Sequence, residues 1–427
     1  MALILKNGRV LDPGSRRDFI GDVVVHEERI RDLGAGIAAD GPGVLDCSGL
    51  VISPGWIDLH VHLREPGYEY KETIETGTQA AVAGGFTAVC AMPNTNPVND
   101  GAGTTTYLRQ RAVEIGAARV YPVGAITVGS RGEALAAIGE MRRAGAVALS
   151  DDGRPVMNPQ ILRRAMEYAA MFALPIVEHA EDLHLAAGGV MHEGAAALRL
   201  GLRGISAESE AAMVERDILL ARQTGAHLHI AHLSTALAVE AVRAAKARGL
   251  RVTAEVTPHH LTLCDEDIRD YDPNFKMNPP LRSRADREAV IAALADGTID
   301  AIATDHAPHA LHEKQQEFNR APFGIIGLET ALPLALRLVE SGRLTLARMV
   351  EAFTTRPAAI FSLPGGRLEP GGIADITVFD PNAVWTCEPA RLRSKSRNTP
   401  FAGWELKGRA VYTIIAGRMV FAARPLG

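Results

Sequence analysis

The segment GWIDLHVHLREPG, residues 55–67, places His60 and His62 two positions apart in a run of strand-forming residues. Side chains at i and i+2 of a strand share a face, so the two imidazoles, together with Asp58, are expected to point the same way. Trp56, Ile57, Leu59, Val61 and Leu63 fill the neighbouring positions, and an outward orientation would bury both imidazoles under helices without a partner. Facing inward at the carboxyl end of a barrel strand, they can share one metal ion. A single histidine at such a place can equally be a hydrogen-bonded core residue, but the pattern recurs. PIVEH ends in His179, HLHIAHL ends near His232 and DAIATD ends in Asp305, each at the expected end of its own strand. Two metal ions held close together repel and need a shared anion, and a separation of about 3.5–4 Å suits a bridging carboxylate and hydroxide. The run AVALS leads into Asp151-Asp152-Gly153. Either aspartate can bridge, the plainer alternative being a solvated turn with a helix cap at Asp152.

The remaining histidines divide by position. His227 and His229 have the opposite strand parity to His232 and are expected to face the surrounding helices. His26, His184, His192 and His312 fall in turns or polar helices and read as surface residues. One of His259 and His260, in TPHH, can look into the barrel mouth or support a residue that does. Cys47, Cys90, Cys264 and Cys387 are widely spaced, form no C-x-x-C pair and read as buried small hydrophobes.

These side chains need a scaffold that brings strand ends together. Eight short apolar runs, WIDLHVHL, FTAVCAM, RVYPVGAI, AVALS, PIVEH, HLHIAHL, RVTAEVT and DAIATD, alternate with helix-period segments such as YKETIETGTQAAVAGG, PQILRRAMEYAAMFA, ESEAAMVERDILLARQTG and RADREAVIAALADG. Eight βα repeats predict an α/β fold, a closed (β/α)8 TIM-type barrel over residues 55–364. An open doubly wound sheet would need a glycine-rich phosphate turn after its first strand; here that strand ends in His-Val-His-Leu-Arg. Residues 1–54 and 365–427 alternate short β-rich pieces with turns and are expected to form one small β-sandwich domain from both chain ends. The polar stretch HALHEKQQEFNRAPFG, 309–324, is long for a βα loop and reads as a substrate lid or an unstructured insertion.

Composition excludes several classes. With 47% apolar and 22% charged residues and a formal net charge of −5, the chain has no basic footprint for nucleic acid. No segment reaches the roughly 18 uncharged apolar residues a membrane span needs, and MALILKNGRVLDPG lacks the features of a signal peptide. A cytoplasmic enzyme acting on a small molecule is expected.

In combination, DLHVHLREPG, AMPNT, SDDG, EH, AHLST, NPPLR and ATDHAPH resemble the amidohydrolase superfamily and, more narrowly, its class I dihydroorotases. The likeness covers nearly the whole chain, including GRLEPGGIADITVFDP in the split β domain. It implies that His60, His62 and Asp305 hold one Zn2+, that His179 and His232 hold a second, and that Asp152 bridges them; manganese or cobalt would accept much the same donors. It further implies that Arg64, Asn94, Asn278 and His309 bind substrate, with Phe323 and Gly324 contributing from a loop. Arg64, two residues beyond His62, can grip a carboxylate through two parallel hydrogen bonds with Asn94 beside it, unless it pairs with Glu65. The implied reaction is reversible hydrolysis of L-dihydroorotate to N-carbamoyl-L-aspartate in pyrimidine synthesis, with Asp305 moving the proton. Relatives such as hydantoinases and allantoinases use a carboxylated lysine as the bridge, and the run before Asp152 contains none. The resemblance also implies a homo-oligomer and, as for some class I members, association with aspartate transcarbamoylase. A non-catalytic scaffold for that enzyme would carry degenerate metal ligands, and here every expected ligand is present.

Overall fold

A computed structural model describes residues 2–37 and 43–424. Eight parallel strands, Trp56–Val61, Phe86–Ala91, Arg119–Gly124, Ala148–Ser150, Ile176–Glu178, Leu228–Ile230, Val252–Val256 and Ala301–Ile302, pair side by side in chain order. Each lies within one of the eight apolar runs, which are apolar on both strand faces over most of their length because a barrel strand is covered on both sides. Val61 bridges in parallel to His306, and His62 N donates to His306 O at 2.9 Å, so the last strand meets the first and the barrel is near closed. Helices Ile74–Gly84, Pro159–Ala170, Ala207–Thr224 and Arg284–Asp296 occupy the four helix-period segments. Thr73, Asn158 and Ser283 each accept a backbone N–H in the first turn of the helix they precede, which fixes where those helices begin.

The barrel lumen is filled from several strands at once. Ile57, Leu59, Ala88, Cys90, Val123, Ala148, Val177 and Ala301 form one buried cluster with Ile360 and Phe361. Residues so far apart around a barrel can meet only inside it. The first strand slips register between Asp58 and Val61, so strict alternation fails there. Leu59 can thus pack in the lumen although His60 also turns inward. The Asp58 carboxylate is buried and accepts from Thr304 N at 3.0 Å and Thr304 Oγ1 at 2.6 Å, tying the first strand to the end of the eighth.

Both chain ends supply the second layer. Five strands between Ala2 and Pro54 and three between Ile376 and Ala422 form one eight-stranded mixed sheet, joined where Val51–Pro54 pairs antiparallel with Ile376–Phe379. The sheet curls over a core of its own: Leu5, Val23 and Ile30 pack with Ile376, Val378 and Ile414. Residues 371–374 close the curl through backbone hydrogen bonds to Glu28 and Ile30. Trp56 rivets this layer to the barrel. Its ring stacks on Phe353 at 4.9 Å and lies 5.4 Å from Phe379, while Nε1 donates to Ser53 Oγ at 3.0 Å. All four cysteines are buried and free. Among the described residues no helix is long and apolar enough to cross a membrane.

Candidate metal centre and substrate pocket

Five of the eight strands deliver six side chains to one point at the barrel mouth. His60 Nε2 lies 3.3 Å from Asp152 Oδ1 and 3.5 Å from Asp305 Oδ1, and His62 Nε2 lies 3.0 Å from Asp305 Oδ1 and 3.4 Å from Asp152 Oδ2. On the other side, His179 Nδ1 and His232 Nε2 each lie 3.6 Å from Asp152 Oδ1 and 2.9 Å from each other. Donor atoms within 4.8 Å of one another group as His60, His62 and Asp152, as Asp152, His179 and His232, and as His60, His232 and Asp305. Asp152 therefore belongs to two donor groups. Asp151 points elsewhere: Oδ1 accepts from Ile126 N and Thr127 N at 2.8 and 3.0 Å, which pins the loop after the third strand. Nor does Asp152 cap a helix, since the next one starts at Pro159 under Asn158.

The strand ends turn sharply to make this cluster. His232 and Asp305 lie two and three residues beyond the last paired residues Ile230 and Ile302, with φ of 31° and 43°, and Arg64 has φ of 62°. Left-handed backbone at non-glycine residues is costly and gathers where a site demands it. Gly67, with φ of 96°, completes the break after the first strand, because a Cβ there would lie 2.2 Å from Asn96 O. The break thus seats the 65–67 turn directly against the loop that carries Asn94.

Buried partners orient the imidazoles. His60 Nδ1 donates to Glu255 Oε1 at 2.8 Å and His62 Nδ1 donates to Asn94 Oδ1 at 2.8 Å, so both rings present Nε2 to the centre. His179 presents Nδ1, with Nε2 facing Glu181 at 3.8 Å and Asn278 at 3.3 Å. Glu255 also holds His229, whose Nε2 lies 3.1 Å from Oε2. This corrects the parity argument for His227 and His229. Both bond Thr253 Oγ1 of the seventh strand, and His229 sits against Phe361 in the lumen. His232 lies beyond the strand in a left-handed turn and so carries no parity to compare with theirs. His192 is likewise not a surface residue: it is 8% exposed, in a two-residue strand beside Arg282. His26, His184 and His312 are exposed. His259 and His260 are both buried behind the cavity wall, His260 bonding Thr257 and Pro279 O.

The charge balance of the cluster calls for a cation. Burial opposes ionisation of Asp152 and Asp305, yet the imidazoles around them hold both carboxyls well below the usual range. Burial likewise disfavours a charged His179, yet Asp152 and Glu181 push it up to about 10. Two buried polar atoms that face this point, His60 Nε2 and Asp152 Oδ1, have no hydrogen-bond partner. Orphaned lone pairs beside two carboxylates, with only imidazole and carboxylate donors, fit divalent metal ions of the zinc type.

Above the cluster opens a cavity of about 490 Å³. Arg64, Asn94, Asn278, His309 and Phe323 line it, together with all of the cluster except His60. Glu65 is not the partner of Arg64; its carboxylate takes Tyr107, Arg111 and Ile74 N instead. Arg64 Nε donates to Pro308 O at 3.2 Å, which aims the guanidinium along the wall. His309 Nε2 donates to Phe323 O at 2.8 Å; burial first, then Arg64, Lys71 and Lys314, hold the ring well below the usual histidine range and hence uncharged near neutral pH. Gly324 stands behind Phe323, with φ of 152°, where a Cβ would lie 2.6 Å from Ala307 O. The 309–324 segment contains a helical turn, Leu311–Lys314, and buries Lys314 and Phe318.

Several supporting residues were not singled out from the sequence. Asn398, on the connection between two strands of the mixed sheet, donates to Ala307 O and Gly324 O and accepts from His309 N. Ser394 Oγ and Lys395 N from the same connection bond Glu72, which also takes His306 Nε2 at 3.2 Å. No local signal marks these contacts. Glu255 did carry one, as an acid in the strand run RVTAEVT of a barrel whose strands are buried on both faces.

Comparison with known proteins places this architecture. The family model described as dihydro-orotase-like matches residues 49–237. The chain is 55% identical over 421 residues to a dihydroorotase of Syntrophotalea carbinolica, covering 99% of both chains. It is 56% identical over 421 residues to a dihydroorotase of Anaeromyxobacter dehalogenans, covering 98% of this chain and 97% of the relative. Among solved structures it resembles the L-hydantoinase of Arthrobacter aurescens, with TM-score 0.88 and 25% identity over 98% of this chain and 96% of that one. The dihydropyrimidinase of Brevibacillus agri shares the fold at TM-score 0.85 and 22% identity, over 99% of this chain and 95% of that one.

Proposed function

The chain belongs to the dihydroorotase family of cyclic amide hydrolases, and we propose that it interconverts L-dihydroorotate and N-carbamoyl-L-aspartate for pyrimidine synthesis, using two zinc ions per chain. The observation that carries this reading is the sharing of Asp152 between two histidine-containing donor groups on the floor of a cavity walled by Arg64 and Asn94. His60, His62 and Asp305 would hold one ion, His179 and His232 the other, with Asp152 common to both. Such ions, when bound, supply an ionised water near neutral pH and an electrophile for the ring carbonyl.

The chain's own groups do the rest. The Arg64 guanidinium, anchored through Nε, keeps its remaining N–H donors for the substrate carboxylate, and Asn94, whose Oδ1 is engaged by His62, has its amide N–H donors free beside it. Asn278 and neutral His309 would border the ring from two further sides of the cavity, with Phe323 excluding bulk water. Asp305, 3.0 Å from His62 Nε2 and held ionised, would take the proton of the attacking water and return it to the amide nitrogen as the ring C–N bond breaks.

The likeness to hydantoinase structures favours one rival, a hydantoinase- or allantoinase-type activity on another ring. Against it stand sequence relatives at 51–56% identity that are dihydroorotases. An ultraviolet assay of the zinc-loaded protein against L-dihydroorotate, hydantoin and allantoin separates them. Turnover confined to L-dihydroorotate is expected; a preference for either of the other two rings would overturn the reading.

A further inference from the structure

Two buried lysines lie outside the metal centre and do not line its cavity. Lys276 is 3% and Lys314 5% exposed, and every polar partner of their ammonium groups among the described residues is a backbone carbonyl. Lys276 Nζ donates to Phe318 O at 2.7 Å and Asn319 O at 3.1 Å, above the Phe323 ring at 4.7 Å. Lys314 Nζ donates to Pro322 O at 2.8 Å, Pro273 O at 2.9 Å and Lys276 O at 3.4 Å. An ammonium group buried without an anion in contact is unfavourable, and burial pushes Lys276 down to about 8 and Lys314 to about 7. Two such groups side by side need a reason.

The carbonyls they collect supply it. Pro273 and Lys276 belong to the chain leading into Asn278, whereas Phe318, Asn319 and Pro322 belong to the 309–324 segment that starts at His309 and ends at Phe323-Gly324. Each ammonium therefore helps fasten one wall of the substrate cavity to the other, and Gly324 N adds a third tie by donating to Lys276 O at 2.9 Å. Carbonyl dipoles converging on a cation give a rigid joint that a loop of polar residues could not make alone. We propose that Lys276 and Lys314 are positioning residues that lock the 309–324 segment against the Asn278 wall, so that His309 and Phe323 are set before substrate arrives. This rests on the reading of Asn278, His309 and Phe323 as substrate contacts.

The test combines hydrogen exchange with steady-state kinetics on the zinc-loaded protein. Wild-type amides over 315–325 should be protected to the same degree with and without saturating N-carbamoyl-L-aspartate. Lys314→Met should lose about tenfold protection there and regain it with that ligand, as local opening predicts, while its KM for L-dihydroorotate rises about tenfold and kcat moves less. Lys276→Met should behave alike. Unchanged KM in the variants, or kcat and zinc content falling with KM unmoved, would overturn the proposal. Should the variants fail to fold, the wild-type arm decides alone: protection of 315–325 that rises tenfold on ligand binding would show a segment not locked beforehand. If the wild type lacked dihydroorotate turnover, the functional reading would fall, and the exchange comparison between wild type and variants would still report whether the lysines hold the segment.

Discussion

The metal-ligand cluster and the substrate rim share one cavity but are held in place by different kinds of contact. Each ligand of the cluster sits at or within a few residues of a paired strand end, so the closure of the barrel alone nearly decides where it falls. The rim is made of connections, and what fixes them comes from far along the chain: His309 N is held by Asn398 and Glu72 by Ser394, pairs 89 and 322 residues apart. A barrel fixes its strand ends cheaply. Aligning a small anionic ring over them takes a second layer, here lent by the mixed sheet at the chain termini.

That contrast predicts how the two regions break. The largest effect belongs to Asp305. Asp305→Asn should lower kcat by about 10²–10⁴-fold, the span of general acid–base catalysis, while leaving the fold and much of the zinc, as read by the ultraviolet assay and metal analysis. Near-normal turnover in that variant would remove its proton-transfer role. Asp152→Ala should reduce bound metal well below two ions per chain by elemental analysis, and full occupancy would mean that the shared ligand lies elsewhere. One step further out, Glu255→Gln should weaken zinc binding by about 10–100-fold in chelator competition, because His60 loses the carboxylate that fixes its ring, while KM measured at saturating zinc stays near normal. The smallest effect tests the rim: Asn398→Ala should raise KM for L-dihydroorotate by about three- to tenfold with zinc content unchanged, the worth of one or two neutral hydrogen bonds. If Asn398→Ala instead released zinc, or Glu255→Gln acted on KM alone, the division between the two regions would dissolve.

The same division governs what could be read in the sequence. The eight strands and five of the six cluster residues are legible because strand period and strand ends are local patterns, and His60-x-His62 announces itself within a single run. Asp151 and Asp152 stayed ambiguous in the sequence since both acids follow one strand; the choice is made by Ile126 and Thr127 on the neighbouring loop, which claim Asp151. Parity counted from His232 points His229 the wrong way, because His232 is already off the strand. His192 reads as a surface residue in the sequence because the two-residue pairing of Met191–His192 with Gly204–Ile205 has no periodicity to detect. Asn398 and the lysines beneath the rim carry no local mark at all, since their partners are backbone groups, which no side-chain pattern in the sequence reveals.

The most direct test of the central claim is an anomalous difference map collected at the zinc edge from crystals of the metal-loaded protein. Two peaks about 3.5–4 Å apart are expected, one beside His60, His62 and Asp305, the other beside His179 and His232, with the Asp152 carboxylate between them. A single peak, or two that do not share Asp152, would contradict that claim.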